Sequence, residues 1–314
     1  MSKVSQILVE PVVTEEELDK ISNTFVDFSI DKFKLITEDS DVYTVQNGKR
    51  KIILRFRKHV LPDNMCSTLW SSLKSVGNMQ RGRSEATGMK KDEIYSMLKS
   101  LSTGKYIRQM NSKAPSGIIG YYDNKSFMGH RRIKSDGVMC RLTSFSKKNI
   151  EKYEKALPII SYIDSIYEKL GGDHYKCQKD AIDKLNPDFR IENTAYTTVT
   201  VNRNFRTALH KDKGDFKGGM INLAVVSDGN DYGGCYTMLP KYGIAIDCRP
   251  SDFLIFDTYE YHCNSEKTGE GERLSLVLYL REKMLNLCPK PITHVQYESN
   301  DTDDTETESE SDNP

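Results

Sequence analysis

The chain has 314 residues, 37% of them hydrophobic and 29% charged, with 45 basic and 45 acidic side chains. That length and apolar content support one large domain or two ordinary ones and exclude both a minimal scaffold and wholesale disorder. The zero net charge hides an asymmetry. Residues 298–314 carry eight acids and no base, so the preceding 297 residues hold 45 bases against 37 acids, a net of +8. A basic body is compatible with an anionic polymer such as nucleic acid and equally with an ordinary soluble surface. The acidic run has no apolar residue after Tyr297 and is expected to stay unfolded.

In chain order, Thr14 and Glu17 have capping-box spacing, and Leu18, Ile21, Phe25 and Phe28 recur at helical intervals, which predicts a helix over about 14–28. Asn47-Gly48 between Val42–Val45 and Ile52–Phe56 predicts a tight hairpin. Residues 62–113 read as helical segments broken by glycines, among them the basic stretch Arg81-Gly82-Arg83. Residues 146–170 read as a long helical region whose second half starts at Pro158 and which ends at Gly171-Gly172. Ile159, Ile163, Ile166 and Leu170 give that half one apolar face, the pattern of a support helix packed on a sheet.

The texture changes near residue 194. Short β-rich runs follow at intervals of about ten residues: Tyr196–Val201, Met220–Val226, Cys235–Leu239, Gly243–Cys248, Phe253–Phe256 and Leu274–Leu280. Glycine pairs and Pro240 or Pro250 punctuate them. Evenly spaced short strands predict a sandwich or jelly-roll barrel, and with helices upstream the fold class is α+β.

Seven scattered cysteines without a CxxC pair argue against a disulfide framework and against a structural zinc module. The first residues, MSKVSQILVEPVV, lack a signal-peptide core, and no stretch approaches the ~20 apolar residues of a membrane span. The expectation is a soluble monomer in a reducing nuclear or cytoplasmic compartment, with no membrane partner.

The residues that carry chemistry lie inside the β region. His210-Lys211-Asp212 puts a histidine and a carboxylate on one face of an extended segment. His262 follows the run Phe253–Phe256, and Arg273-Leu274-Ser275 comes eleven residues later. Two histidines and one carboxylate form the facial triad that holds Fe(II) and leaves positions open for co-substrate and dioxygen, whereas thiolates would have pointed to zinc. Each part alone is weak, since a lone HxD pair arises readily by chance. The order of the parts within a β core makes the pattern specific. In that context the planar fork of Arg273 suits the distal carboxylate of 2-oxoglutarate, with the Ser275 hydroxyl as a second donor.

The segments TTVTVNRNFRTALHKDKGDFKGGM (197–220), GGCYTMLPKYGIAIDCRPSDFLIFDTYEYH (233–262) and ERLSLVLYLRE (272–282) resemble the TET/J-binding-protein oxygenases. The likeness is greater to the J-binding-protein branch. There Asn202, Asn204, Arg206 and Thr207 stand before HKD, and YGIAID (242–247) leads into the next strand. RGRSEATG (81–88), SGIIGYYD (116–123) and CRLTSF (140–145) also resemble family segments, so the likeness covers roughly 80–285. The separate J-DNA-binding module of larger members and the cysteine-rich region of animal TETs are expected to be absent.

The resemblance implies a double-stranded β-helix core and an oxygenase that uses Fe(II), 2-oxoglutarate and O2 to oxidise the 5-methyl group of a pyrimidine in DNA, thymine first and 5-methylcytosine next. It implies His210, Asp212 and His262 as iron ligands and Arg273 and Ser275 as co-substrate contacts. Asn202 and Arg206 orient the co-substrate or a phosphate, or serve the fold alone. A methyl group inside a duplex cannot reach a buried iron, so the base is expected to be flipped out. Asp215 either accepts a hydrogen bond from that base or is the turn residue of Lys213-Gly214-Asp215. Arg81, Arg83, Arg131, Arg132 and Lys134 are candidates for backbone contacts, and Phe205, Tyr259 and Tyr261 for core packing or base stacking.

The expected layout is a helix-and-hairpin extension (1–79), an oxygenase domain (80–289) with its β-helix core at about 194–282, and the acidic tail (290–314). Two other readings use the same residues: a prolyl or lysyl protein hydroxylase, and a catalytically silent nucleic-acid-binding module.

Overall fold

The computed structural model describes residues 4–82, 86–88, 113–123, 140–257 and 259–287. Arg83, Arg131, Arg132, Lys134 and the acidic tail fall outside these residues.

The N-terminal third holds β1 (Ser5–Leu8), α1 (Glu15–Ile21), β2 (Lys34–Ile36), β3 (Ser40–Gln46), β4 (Lys49–Arg57), α2 (Asp63–Leu73), β5 (Gln80–Gly82) and β6 (Lys113–Asp123). Next come β7 (Cys140–Leu142), α3 (Ser144–Lys148), α4 (Ile150–Gly171) and α5 (Asp173–Ile182). The β-rich part contains β8 (Thr198–Arg203), β9 (Met220–Ser227), β10 (Gly233–Gly234), β11 (Thr237–Leu239), β12 (Ile244–Ile246) and β13 (Phe253–Asp257). It closes with β14 (Cys263–Asn264), β15 (Lys267–Thr268), β16 (Arg273–Tyr279) and α6 (Glu282–Leu287).

Four of these strands, in the order β13-β9-β16-β8, form the centre of a large sheet, all antiparallel. A small sheet, β14-β11-β12-β2, faces it. The chain passes repeatedly between the two: from β8 to a bridge at His210, back to β9, across to β11 and β12, back to β13, across to His262 and β14, and back to β16. That winding is a double-stranded β-helix, the closed jelly-roll solution to unpaired edges. Its interior is sealed by Leu223, Val225, Leu254 and Phe256 of the large sheet against Leu239, Ile244 and Ile246 of the small one. Alternation puts Ala224, Val226, Leu274, Leu276 and Leu278 on the opposite face, where they pack under α2 and α4. The fold class is therefore α+β, with the helices as a layer on the outside of the barrel.

The hairpin forms at its two-residue turn. Asn47 and Gly48 both take positive φ (52° and 71°), the geometry whose twist matches the flanking strands. The hairpin is no separate extension. β4 pairs with β13 along Arg57–Leu54, and β2 adds a parallel strand to β12, so both sheets run across the expected boundary at residue 79. Backbone hydrogen bonding to otherwise open sheet edges draws these strands into the core.

Other expectations are corrected. The capping box at Thr14 and Glu17 is formed, but α1 ends at Ile21 because Asn23 turns left-handed (φ 65°) and its N–H donates to Leu209 O. Gln80–Gly82 is a strand paired with β6, where helix was expected. Asn149 separates α3 from α4, and Pro158 lies inside α4 without ending it. A proline there forfeits one intrahelical hydrogen bond, yet burial of Ile159, Ile160, Ile163 and Tyr167 holds the helix together. Cys66, Cys177, Cys235, Cys248 and Cys263 are free, whereas Cys140 is disulfide-bonded, which the scattered spacing did not announce.

Asp164 of α4 is a charged residue in this apolar layer, only 4% exposed. It accepts from the Ala195 N–H (2.8 Å) and the Tyr175 hydroxyl (2.9 Å), tying α4 to α5 and to the chain entering β8. Burial pushes its carboxyl up from the ordinary 3.8 to about 6, only partly offset by those two donors. Between those values the folded chain holds a proton that the unfolded chain has released. Stability at this site is therefore lost as the pH rises through the window and stays lower above it. Denaturant titrations at pH 4.5 and pH 8 should show the wild type losing on the order of 2 kcal/mol relative to Asp164→Asn across the interval.

Candidate metal and co-substrate site

The segment Thr207–His210 is held on both sides. Asn264 N–H donates to Thr207 O, and His210 and His262 exchange backbone N–H···O bonds of 3.0 Å each. On the other side Leu209 N–H donates to Thr24 O. The His210–His262 pair is an antiparallel rung, and it places the two imidazoles 4.4 Å apart between ring centroids. Asp212, two residues past His210 on the same face, completes the group. Its Oδ1 lies 3.5 Å from His210 Nε2 and its Oδ2 3.4 Å from His262 Nε2, and one ligand atom from each residue lies within 4.8 Å of the other two.

Both histidines are oriented by their own backbones. His210 Nδ1 lies 2.7 Å from Ala208 O and His262 Nδ1 lies 3.0 Å from Glu260 O. A carbonyl only accepts, so each Nδ1 carries the proton and each Nε2 keeps its lone pair toward the shared centre. Phe256 packs edge-on against the His262 ring at 5.0 Å. Two neutral imidazole nitrogens and an ionised carboxylate around one point are the donor set that fits Fe(II).

Lys211 points away from this group. Its ammonium donates to Glu15 Oε1 (2.5 Å) and lies 4.3 Å from the centre of the Tyr261 ring, while the Tyr261 hydroxyl donates to Asp19. Helix α1 thus braces both ligand-bearing segments from behind. The capping box announces the helix, but nothing local in the sequence announces this contact.

Arg273 opens β16 and is 3% exposed. Its backbone N–H donates to Asn204 Oδ1 (2.8 Å), and Asn204 sits at φ 49° where β8 ends. Its Nε and Nη2 are buried and find no hydrogen-bond partner among the described residues. Buried guanidinium donors without partners are rare in a folded protein and fit an anion such as the distal carboxylate of 2-oxoglutarate. Ser275 lies two residues along, its register partner Val225 being part of the barrel interior. Asn202 stands opposite Ser275 and Ser116 on the same rung, so Arg273, Ser275 and Asn202 share the inward face.

The substrate-contact candidates fare differently. Asp215 is buried, its N–H donates to Asp212 O (3.3 Å), and its backbone bridges Arg281. It occupies the turn that follows Asp212. Arg206 is committed elsewhere: it bonds Asp27 Oδ1 (2.6 Å) and Val26 O (3.2 Å) and stacks over Phe25 at 5.0 Å. In this position its charge is spent on holding the N-terminal segment against the barrel. Tyr261 is buried, and Lys217 lies 5.6 Å from the centre of the Tyr259 ring.

A group of two histidines and a carboxylate inside a double-stranded β-helix, with an arginine on the closing strand whose buried Nε and Nη2 have no partner among the described residues, defines the class of iron(II)/2-oxoglutarate oxygenases. Residues 117–282 match the TET/JBP family, described as the oxygenase domain of the 2OGFeDO superfamily. The chain belongs to that family.

It is similar to the bifunctional helicase and thymine dioxygenase JBP2 of Trypanosoma brucei brucei, with 32% identity over 253 residues, 79% of this chain and 20% of that protein. It is also similar to the thymine dioxygenase JBP1 of the same organism, with 36% identity over 172 residues, 53% of this chain and 19% of the relative. The chain thus spans about a fifth of the length of these curated relatives. Among solved structures, NgTET1 in complex with 5mC DNA is similar at 16% identity and a TM-score of 0.48, covering 88% of this chain and 94% of that one.

Replacing Asp212 with alanine removes one of the three candidate ligands and leaves the His210–His262 rung intact. Calorimetry with Mn(II) as a redox-silent stand-in for Fe(II) should show affinity falling at least ~100-fold, with the far-UV spectrum unchanged.

Proposed function

We propose that this protein is an Fe(II)- and 2-oxoglutarate-dependent dioxygenase that hydroxylates the 5-methyl group of a pyrimidine base in DNA, with thymine preferred to 5-methylcytosine. The observation that carries the reading is the His210, Asp212 and His262 group with both Nε2 atoms freed toward one centre. The thymine-dioxygenase names of two relatives support the choice of base.

In this reading His210 and His262 present imidazole nitrogens and Asp212 a carboxylate oxygen to the iron. Bound together, iron and 2-oxoglutarate would activate O2, one oxygen atom converting a methyl C–H to C–OH and the other entering succinate as the keto acid loses carbon dioxide. Arg273 holds the far carboxylate of the co-substrate bidentately, Ser275 adds a hydroxyl donor, and Asn202 lines the same rung. The barrel walls, Val225 and Phe256 among them, keep bulk water from the centre. The base must leave the duplex stack to reach it. Asp215, on the turn that follows Asp212, is the group we assign to the flipped base. Its carboxylate accepts equally from thymine N3–H or from the cytosine amino group and so does not rank the two.

The test is nucleoside mass spectrometry after incubation with Fe(II), 2-oxoglutarate and ascorbate, on duplexes containing both thymine and 5-methylcytosine. The expected product is 5-hydroxymethyluracil in amounts matching the succinate formed, with none from Asp212→Ala. Succinate with no altered base would reject DNA as the substrate. Oxidation of 5-methylcytosine alone would reverse the preferred order.

A further inference from the structure

Arg273 is not the only polar group left open in its neighbourhood. Tyr232 ends the loop 228–232, which is laced to the start of β16: Asp228 N–H donates to Glu272 O (3.1 Å), Gly271 N–H to Asp231 O (3.0 Å), and Glu272 N–H to Asp228 Oδ1 (3.0 Å). The Tyr232 ring is backed by the Arg249 guanidinium at 5.0 Å, and Arg249 Nη1 donates to the Tyr232 carbonyl (2.9 Å). Arg249 is neutralised by Asp247. This clamp fixes the ring, and the hydroxyl it carries is buried with no partner among the described residues.

The residues that hold this loop, Gly271 and Glu272, directly precede Arg273, so the loop that ends at Tyr232 lies against the start of the strand that carries the guanidinium. Burial pushes the hydroxyl upward, opposed first by the charge of Arg273 and then by that of Arg249. Arg273 also acts on the buried thiols Cys235 and Cys248. Arg273 has no carboxylate in ion-pair range among the described residues. A buried cation without a counter-ion and a buried hydroxyl without an acceptor are each costly, and one bound carboxylate relieves both. A carboxylate has two oxygens and about four acceptor positions, enough for the guanidinium fork and a phenol together.

We propose that the Tyr232 hydroxyl is a second anchor for the distal carboxylate of 2-oxoglutarate, donating to it beside Arg273 and thereby selecting a dicarboxylate over shorter 2-oxo acids. The inference rests on the iron and 2-oxoglutarate reading above. Arg249 is the positioning residue: its own charge is spent on Asp247, and its contribution is to hold the ring.

The test compares wild type with Tyr232→Phe, which keeps the ring against Arg249 and removes only the hydroxyl. Both are loaded with Mn(II) and titrated by calorimetry with 2-oxoglutarate and, separately, with oxalate, which has the metal-chelating end and no distal carboxylate. The expected result is a loss of about tenfold in affinity for 2-oxoglutarate, the usual worth of one hydrogen bond to a charged group, with oxalate unchanged. Affinity for 2-oxoglutarate within about twofold of wild type, or an equal loss for both ligands, overturns the role of Tyr232. Arg273→Ala separates the two levels of the argument. If it abolishes 2-oxoglutarate binding while Tyr232→Phe does nothing, the tyrosine assignment fails and the co-substrate reading stands. If wild type binds Mn(II) but not 2-oxoglutarate, the reading fails and the inference with it.

Discussion

The pair of backbone hydrogen bonds between His210 and His262 is the contact on which the site depends. It joins two segments about fifty residues apart in the chain and fixes their register, so that one imidazole from each faces the same point. Because side chains alternate along a strand, a slip of one residue would turn a histidine out of the group and bring a neighbour in its place. Asp212 needs no further device, since two residues along an extended segment return to the same face. The Nδ1 contacts to Ala208 O and Glu260 O then fix the rotation of each ring, and these also come from the backbone of the ligand's own strand. The geometry of this candidate metal group is a consequence of strand pairing.

The barrel divides its two faces between different tasks. On the outer face of the large sheet, α2 and α4 cover an aliphatic layer, and the polar groups that enter it are partnered: Asp164 with Ala195 and Tyr175, Tyr196 with Asn222, and Gln178 with Ala195. On the inner face, aliphatic residues near β13 give way to Arg273, Ser275, Asn202 and Ser116 toward β6 and β8. Two donors of Arg273 and the hydroxyl of Tyr232 are buried without a hydrogen-bond partner among the described residues. The outer layer is satisfied, and the inner side keeps buried donors that would suit a bound anion.

The N-terminal segment works as a brace. Helix α1 supplies Glu15 to Lys211 and Asp19 to Tyr261, Asp27 holds Arg206, and β2 extends the small sheet. Lys241 adds a link from Glu15 to Glu260, which sits two residues before His262. Individual surface ion pairs contribute little, but these converge on the two segments that bear the histidines and restrict them together. A segment that resembles an appendage in the linear sequence is thereby part of the support of the site.

Much of this was legible in order and spacing. The HKD face, the later histidine, the Arg-x-Ser opening of the last strand, the run of short strands and the Asn47-Gly48 turn are local patterns with local physical causes, and the structure realises each one. What pairs with what across the chain was not legible. The entry of β2 and β4 into the two sheets, the strand at Gln80–Gly82, the commitment of Arg206 to Asp27 and the clamp on Tyr232 depend on contacts between residues distant in sequence, which leave no periodicity and no motif. The sequence by itself determined which side chains were available for chemistry and that strands would carry them, because alternation and turn propensity are properties of neighbouring residues. Only the tertiary structure decided which of those side chains share a buried space and which are already engaged, because burial and hydrogen-bond partnership are properties of the packed chain.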